Sequence, residues 1–136
     1  MARRSLSKEI EDIREKLGNR PIVLVGLMGA GKSSIGRRLA EKLEIPFVDA
    51  DHEIEVAADK TIPEIFNDHG EAYFREGERR VISRLIENGA QILSTGGGAF
   101  INEETRQSIH AHGISVWLKA DLPLLMKRVM KRADRP

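Results

Sequence analysis

Gly26-Leu27-Met28-Gly29-Ala30-Gly31-Lys32-Ser33 follows directly on the apolar run Ile22-Val23-Leu24-Val25 and leads into a helical pattern. A strand running into Gly-x-x-x-x-Gly-Lys-Ser and then a helix is the setting of a phosphate-binding loop. The glycines let the backbone curl so that successive N–H groups point at an anion, and the helix N-terminus adds partial positive charge. Lys32 is spaced to reach the β- and γ-phosphates of a nucleotide, and the Ser33 hydroxyl to ligate a bridging Mg²⁺. A glycine-rich turn would account for the glycines but not for Lys32 and Ser33 at their fixed offsets.

Three further polar clusters are candidates for the acceptor side of a phosphoryl transfer. Phe47-Val48-Asp49-Ala50-Asp51 puts two carboxylates at the end of an apolar run, where open parallel sheets place their ligands. Residues two apart on a strand share a face, so both can look toward the phosphates, one holding metal through water and the other taking a hydrogen bond from an attacking hydroxyl. Asp51 could equally serve as the N-cap of a helix through Ile54. Phe74-Arg75-Glu76-Gly77-Glu78-Arg79 lies in a helical stretch. Arg75 offers a planar fork suited to a carboxylate, with Glu78 three residues on to hold it. The plainer alternative is an exposed ion pair of little worth. Ser94-Thr95-Gly96-Gly97-Gly98-Ala99 leaves another apolar run. Three glycines there suit close approach of backbone to a ligand, or a simple flexible turn.

The elements that must carry these clusters alternate. Short apolar strands are expected over 22–25, 46–50, 91–94 and 114–118, separated by helical patterns, which implies parallel strands with crossover helices. Ile10, Ile13 and Leu17 predict an amphipathic helix over 7–17, an N-terminal extension occupying residues 1–20 beside a loop domain over 21–136. Ile35, Leu39 and Leu43 stripe a helix over 32–43. Thr61 and Glu64 form a capping box for a helix stopped by Gly70, and a longer helix follows over 71–87. Asn102 caps a helix running to Gly113, and Asp121 one that enters the basic C-terminal segment.

Composition frames what such a domain is. With 136 residues, 40% hydrophobic and 32% charged, the chain reads as one soluble domain with a single core. A net charge of +1 gives no general attraction to nucleic acid or membrane. Zero cysteines exclude disulfides and thiolate zinc sites and suit a reducing compartment. Residues 6–17 are broken by charges rather than forming a signal core, no apolar run is long enough to span a bilayer, and the expected location is the cytoplasm. His110 and His112 sit two apart on a helix and so point different ways, which disfavours a metal pair. His52 and His69 have no ligand partners near them in sequence, and Trp117 and Tyr73 read as core or pocket walls.

The phosphate loop, then Asp49-Ala50-Asp51, then Phe74-Arg75-Glu76-Gly77-Glu78, then Gly96-Gly97-Gly98, in that order and spacing, resembles the shikimate kinase family over about residues 20–136. The loop is shared by many nucleotide enzymes, whereas the other three motifs are specific to this family. The resemblance implies a three-layer α/β P-loop NTPase fold, with a parallel sheet like that of nucleoside monophosphate kinases and helices on both faces. It implies transfer of the ATP γ-phosphoryl group to the 3-hydroxyl of shikimate, a step toward aromatic amino acids, by a monomer using ATP and Mg²⁺. Asp51 would orient the acceptor hydroxyl, Arg75 bind the shikimate carboxylate and Gly97 offer backbone contacts. Gly29, Ala30, Gly31, Lys32, Ser33 and Ser34 would form the ATP site, with Ser33 and Asp49 serving the metal.

The basic run from Lys127 is similar to the family's lid, with Arg135 reaching over the phosphates and either Arg128 or Arg132 against the adenine. Lys32, Asp51 and Arg135 are thus the implied catalytic set. Family members continue beyond the equivalent of Pro136 with the rest of the lid, a fifth strand, a further substrate arginine and a final helix. A truncated kinase with weakened or lost turnover is therefore expected, its fourth strand an exposed edge. Two rivals stand beside this reading: a gluconate kinase-like enzyme of the same fold, and a non-catalytic nucleotide-binding module.

Overall fold

A computed structural model describes residues 2–25, 32–96, 98–117 and 129–130, with side chains described for 8–25, 34–96, 98–116 and 129–130. Four strands, β1 (Ile22–Val25), β2 (Phe47–Asp49), β3 (Ile92–Ser94) and β4 (Ile114–Trp117), form one sheet in the order β2-β3-β1-β4. Every pairing is parallel, with Leu24 level with Ser94, Asp49 level with Ser94, and Val25 level with Trp117. That register brings the C-terminal ends of the strands to one rim. The chain leaving β1 and the polar residues after β2 and β3 therefore emerge together, at the point where strand order reverses and open α/β sheets take their ligands. Among the described residues β4 pairs only with β1.

Both faces of the sheet are covered. Ile22 and Leu24 face one core with Leu39 and Leu43 of α2 (Lys32–Leu43), whereas Val23 and Val25 face another with Ile54, Phe74 and Ile82. Such two-sided burial is why β1 reads as an unbroken apolar run rather than an alternating one. The first helix, α1 (Ala2–Leu17), begins five residues earlier than its apolar periodicity suggests. It is no loose appendage, because Ile13 and Leu17 are fully buried in the same core as Leu39, Leu43 and Val129.

Two helices on the opposite face carry the remaining motifs. In α3 (Ala50–Ala58) the chain turns out of β2, and Asp59 in a left-handed conformation closes it. The following helix, α4 (Ile62–Ile86), opens with the expected capping box, Thr61 bonded to the Glu64 N–H and Glu64 to the Thr61 N–H. Glu55 of α3 adds a carboxylate that accepts from the Ile62 N–H at 2.8 Å, so one helix caps the other. Gly70 stops the first helical arm as expected, with φ 85° and ψ 176° that only glycine adopts freely, and the second arm follows at once across a kink, so that α4 is two helices end to end. Across the kink Phe66 and Phe74 pack at 4.8 Å, which turns the second arm, with Arg75 and Glu78, onto the sheet. After β3 comes a 3₁₀ turn, Ala99–Ile101, then α5 (Glu103–His112), capped by Asn102 through the Thr105 N–H.

Gly36 shows how closely α2 lies on the sheet. A Cβ there would sit 2.7 Å from Phe47 Cε2 and 3.0 Å from Leu24 Cδ1, and the Arg37 guanidinium lies over the Phe47 ring at 4.6 Å. Helix propensity alone favours alanine at an interior glycine by about 1 kcal/mol, whereas overpacking a core costs about 1–3 kcal/mol. Because the added Cβ would press on the fully buried Leu24 as well as displace the Phe47 ring, Gly36→Ala is expected to lower stability by about 1 kcal/mol net, read as a lower urea midpoint. A raised midpoint would contradict this packing.

Candidate active site

Asp49, not Asp51, caps α3: its Oδ1 accepts from the Asp51 N–H at 3.0 Å and the His52 N–H at 3.4 Å. The alternative reading of Asp51 as the cap fails because the helix starts at Ala50, directly after the strand, leaving Asp51 inside the first turn. The two carboxylates accordingly do not share a strand face. Asp49 stays at the rim level with Ser94, and Asp51 is carried by the helix toward the glycine loop, where a Cβ on Gly96 would stand 3.0 Å from Asp51 Oδ1. Asp49 Oδ2 has no partner among the described residues. A carboxylate that caps through one oxygen and presents the other is suited to hold a divalent cation through water.

Arg75 occupies the centre of the cluster. Its guanidinium bonds Glu78 Oε1 at 2.9 Å, lies 3.7 Å from Glu71 Oε1 and stands 5.2 Å over the Phe74 ring. A Cβ on Gly98 would run into that guanidinium, so glycine there is what admits the fork. The Arg75–Glu78 pair is not the exposed surface pair that spacing alone allows, because Glu78 is only 2% exposed. Burial pushes the Glu78 carboxyl above the ordinary glutamate range; the Arg75 bond and charge pull it back, and the nearby charge of Asp51 pushes it up again. The α3 carboxylate of Asp51 and the α4 carboxylate of Glu78 are thus close enough for their charges to act on one another.

The structure thus brings together Asp51, Arg75, Glu78, Gly96 and Gly98, drawn from three segments far apart in sequence. Ser34 is exposed in the first turn of α2, after β1, on the same rim. Gly29, Ala30 and Gly31, the side chains of Lys32 and Ser33, Gly97, the helix expected after Asp121, and Arg128, Arg132 and Arg135 lie outside the described residues. Among the described residues no three His, Asp or Glu side chains cluster as a metal site.

Thr95 has a part that sequence reasoning did not single out. Its buried hydroxyl donates to the Leu24 carbonyl at 2.8 Å and its N–H bonds the same oxygen at 3.2 Å, tying the start of the glycine loop to the strand that feeds the phosphate loop. A threonine between a strand end and glycines was the available signal, but its partner lies 71 residues away. Two of the four histidines meet aromatic rings. His69 stacks on Tyr73 at 4.2 Å, and His110 meets the edge of Phe100 at 5.8 Å in the last turn of α5.

A family model described as shikimate kinase matches residues 28–136. A shikimate kinase of Bradyrhizobium diazoefficiens is 62% identical over 125 residues, covering 92% of this chain and 60% of that protein. One of Rhodopseudomonas palustris is 58% identical over 96% of this chain and 64% of that protein. The chain therefore spans less than two thirds of the length of these curated relatives. Among solved structures, a shikimate kinase from Acinetobacter baumannii in complex with shikimate superposes with a TM-score of 0.73 at 40% identity, covering 91% of this chain and 69% of that one. Shikimate kinase from Aquifex aeolicus vf5 gives a TM-score of 0.68 at 31% identity, over 83% and 79%.

Proposed function

The chain belongs to the shikimate kinase family, and on that premise we propose that it binds shikimate and ATP and transfers the γ-phosphoryl group to the shikimate 3-hydroxyl. The observation that carries this reading is the convergence of Asp51, Arg75 and the glycine loop on one rim of the sheet. Arg75, held by Glu78, presents its fork to the substrate carboxylate, and the missing Cβ at Gly98 leaves that fork room. Asp51 accepts a hydrogen bond from the 3-hydroxyl and orients it in line with the γ-phosphorus. As the new O–P bond forms, the bond from that phosphorus to the β,γ-bridging oxygen breaks, ADP leaves and the hydroxyl proton passes to Asp51 or water. Because the transition state is loose, positioning and charge stabilisation account for most of the rate rather than a strong base.

On the donor side we assign the nucleotide phosphates to Gly29, Ala30, Gly31, Lys32, Ser33 and Ser34, with Arg135 closing over them and Gly97 contacting the acceptor. Ser33 and Asp49 would hold Mg²⁺, which when bound neutralises charge on the β- and γ-phosphate oxygens. A monomer acting in the cytoplasm accompanies this reading, in keeping with zero cysteines. No helix among the described residues is long and apolar enough to cross a membrane.

Shikimate-dependent ADP release, together with saturable shikimate binding by calorimetry, tests the reaction. Gluconate in place of shikimate is expected to give neither. Absence of both signals with shikimate would overturn the proposal, and ATP binding without acceptor binding would favour the non-catalytic module.

Asp49→Asn separates two jobs of one carboxylate. Asparagine caps helices as well as aspartate does, so thermal stability is expected to change by less than about 0.5 kcal/mol. The lost charge is expected to raise the Mg²⁺ concentration needed for half-maximal turnover about tenfold, the size of a lost charge-assisted contact. An unchanged Mg²⁺ requirement would leave Asp49 as a cap only.

A further inference from the structure

A concavity lies between α3 and α4, and none of Asp51, Arg75, Glu78, Gly96 or Gly98 lines it. It measures about 410 Å³ and its floor is the buried side chains of Ile54, Ile65, Phe74 and Val81. Ala57 and Ala58 form one wall and Tyr73 and Gly77 the other. Gly77 is in the middle of a helical arm, where glycine costs about 1 kcal/mol relative to alanine. Its φ is ordinary, and a Cβ there would meet nothing within 4 Å. Neither backbone strain nor packing within the chain therefore calls for glycine at this point, and its effect is to leave helix backbone open to whatever occupies the cleft.

The rim is basic. Arg80 and Arg84 stand one turn apart on the cleft side of α4. Arg80 lies 3.4 Å from Glu76 Oε1, but that carboxylate is already held by both Nε and Nη2 of Arg79. Arg84 has no ionic or hydrogen-bond partner among the described residues. An apolar slot of this size under an unpartnered guanidinium matches a small molecule with an apolar ring at one end and a carboxylate at the other.

We propose that this cleft is a binding site for small ring-bearing carboxylates, with the ring over Gly77 against the Ile54 and Val81 floor and the carboxylate on Arg84. The site is separate from the acceptor pocket and does not depend on the activity assigned above. The probe is 3-phenylpropanoate, titrated into the uniformly ¹⁵N-labelled chain and followed by amide shifts. The expected result is saturation at Ala57, Ala58 and Gly77 with a Kd of about 1 mM or tighter, the range for a ligand of this size. Arg84→Gln should raise that Kd about tenfold. Gly77→Leu, which fills the slot with a stronger helix former and so keeps the fold, should abolish the shifts. The alcohol 3-phenylpropan-1-ol should bind at least about fivefold more weakly.

Shifts that fail to saturate, that persist in Gly77→Leu, or that centre on Gly96 and Gly98 would overturn the proposal. A parallel shikimate titration reads Gly96 and Gly98 and is independent: its failure would count against the acceptor assignment and leave the cleft untouched.

Discussion

Arg75→Ala is expected to weaken shikimate binding by at least about 30-fold, because truncating one partner of a hydrogen-bonded charge pair costs about 2–5 kcal/mol. The effect should fall on the shikimate Kd and KM rather than on ATP affinity, since Arg75 faces Gly98 and Glu78. Arg75→Lys keeps the charge but loses the planar fork, and is expected to recover only part of the affinity. The same truncation leaves Glu78 buried without its cation. In the parent protein the Glu78 carboxyl already holds its proton more tightly when folded than when unfolded, because burial outweighs the Arg75 bond. Above the unfolded glutamate value of about 4.3 the folded state then binds more protons than the unfolded one, so stability falls as pH rises toward the raised folded value. Without Arg75 that value rises further and the fall extends to higher pH. Urea midpoints for Arg75→Ala should therefore drop more between pH 5 and pH 7.5 than those of the parent. A shikimate Kd within threefold of the parent would remove Arg75 from the acceptor site.

Much of this arrangement was legible because it is local or periodic. Thr61 and Glu64 are three residues apart and make their capping box without outside help; Asn102 and Thr105 do likewise. Ile22 to Val25 read as a strand buried on both faces, and four motifs in fixed order sufficed to indicate the family. What escaped depended on partners distant in sequence or on a shift of one or two residues. Whether Asp49 or Asp51 caps α3 turns on where β2 stops, which alternation over three residues does not specify. Glu78 is indistinguishable in sequence from an exposed partner of Arg75, and only the docking of α4's second arm on the sheet, set by the kink at Gly70, buries it. The triple glycine suggested close approach without saying what approaches. Gly98 makes room for a guanidinium from α4 and Gly96 for a carboxylate from α3, so neighbouring glycines serve different helices. The cleft between α3 and α4 had no signature at all, because its walls of Ala57, Ala58 and Gly77 read as ordinary helix.

Asp51→Asn is expected to cut shikimate-dependent ADP release by about 100-fold, the lower end of what a positioned acid–base group contributes. The lower end is the right choice because a loose phosphoryl transition state asks little proton transfer of its base and much orientation of the hydroxyl. Asparagine retains an acceptor oxygen, so shikimate affinity should change by less than about fivefold. The loss then appears in kcat, the converse of Arg75→Ala, in which it appears in KM. Folding offers no rival explanation. Asp51 is in the first turn of α3 but does not cap it, so loss of its charge costs only the helix-dipole contribution, about 0.3–1 kcal/mol. Removing Asp51's charge also removes one of the influences that raise Glu78, which should lower the Glu78 carboxyl and slightly strengthen its hold on Arg75. A double variant Asp51→Asn, Arg75→Ala is therefore expected to deviate from additivity, as residues that share one neighbourhood do. Retention of ADP release within threefold in Asp51→Asn would show that the hydroxyl is oriented by some other group, and the acceptor site would have to be redrawn around Arg75 alone.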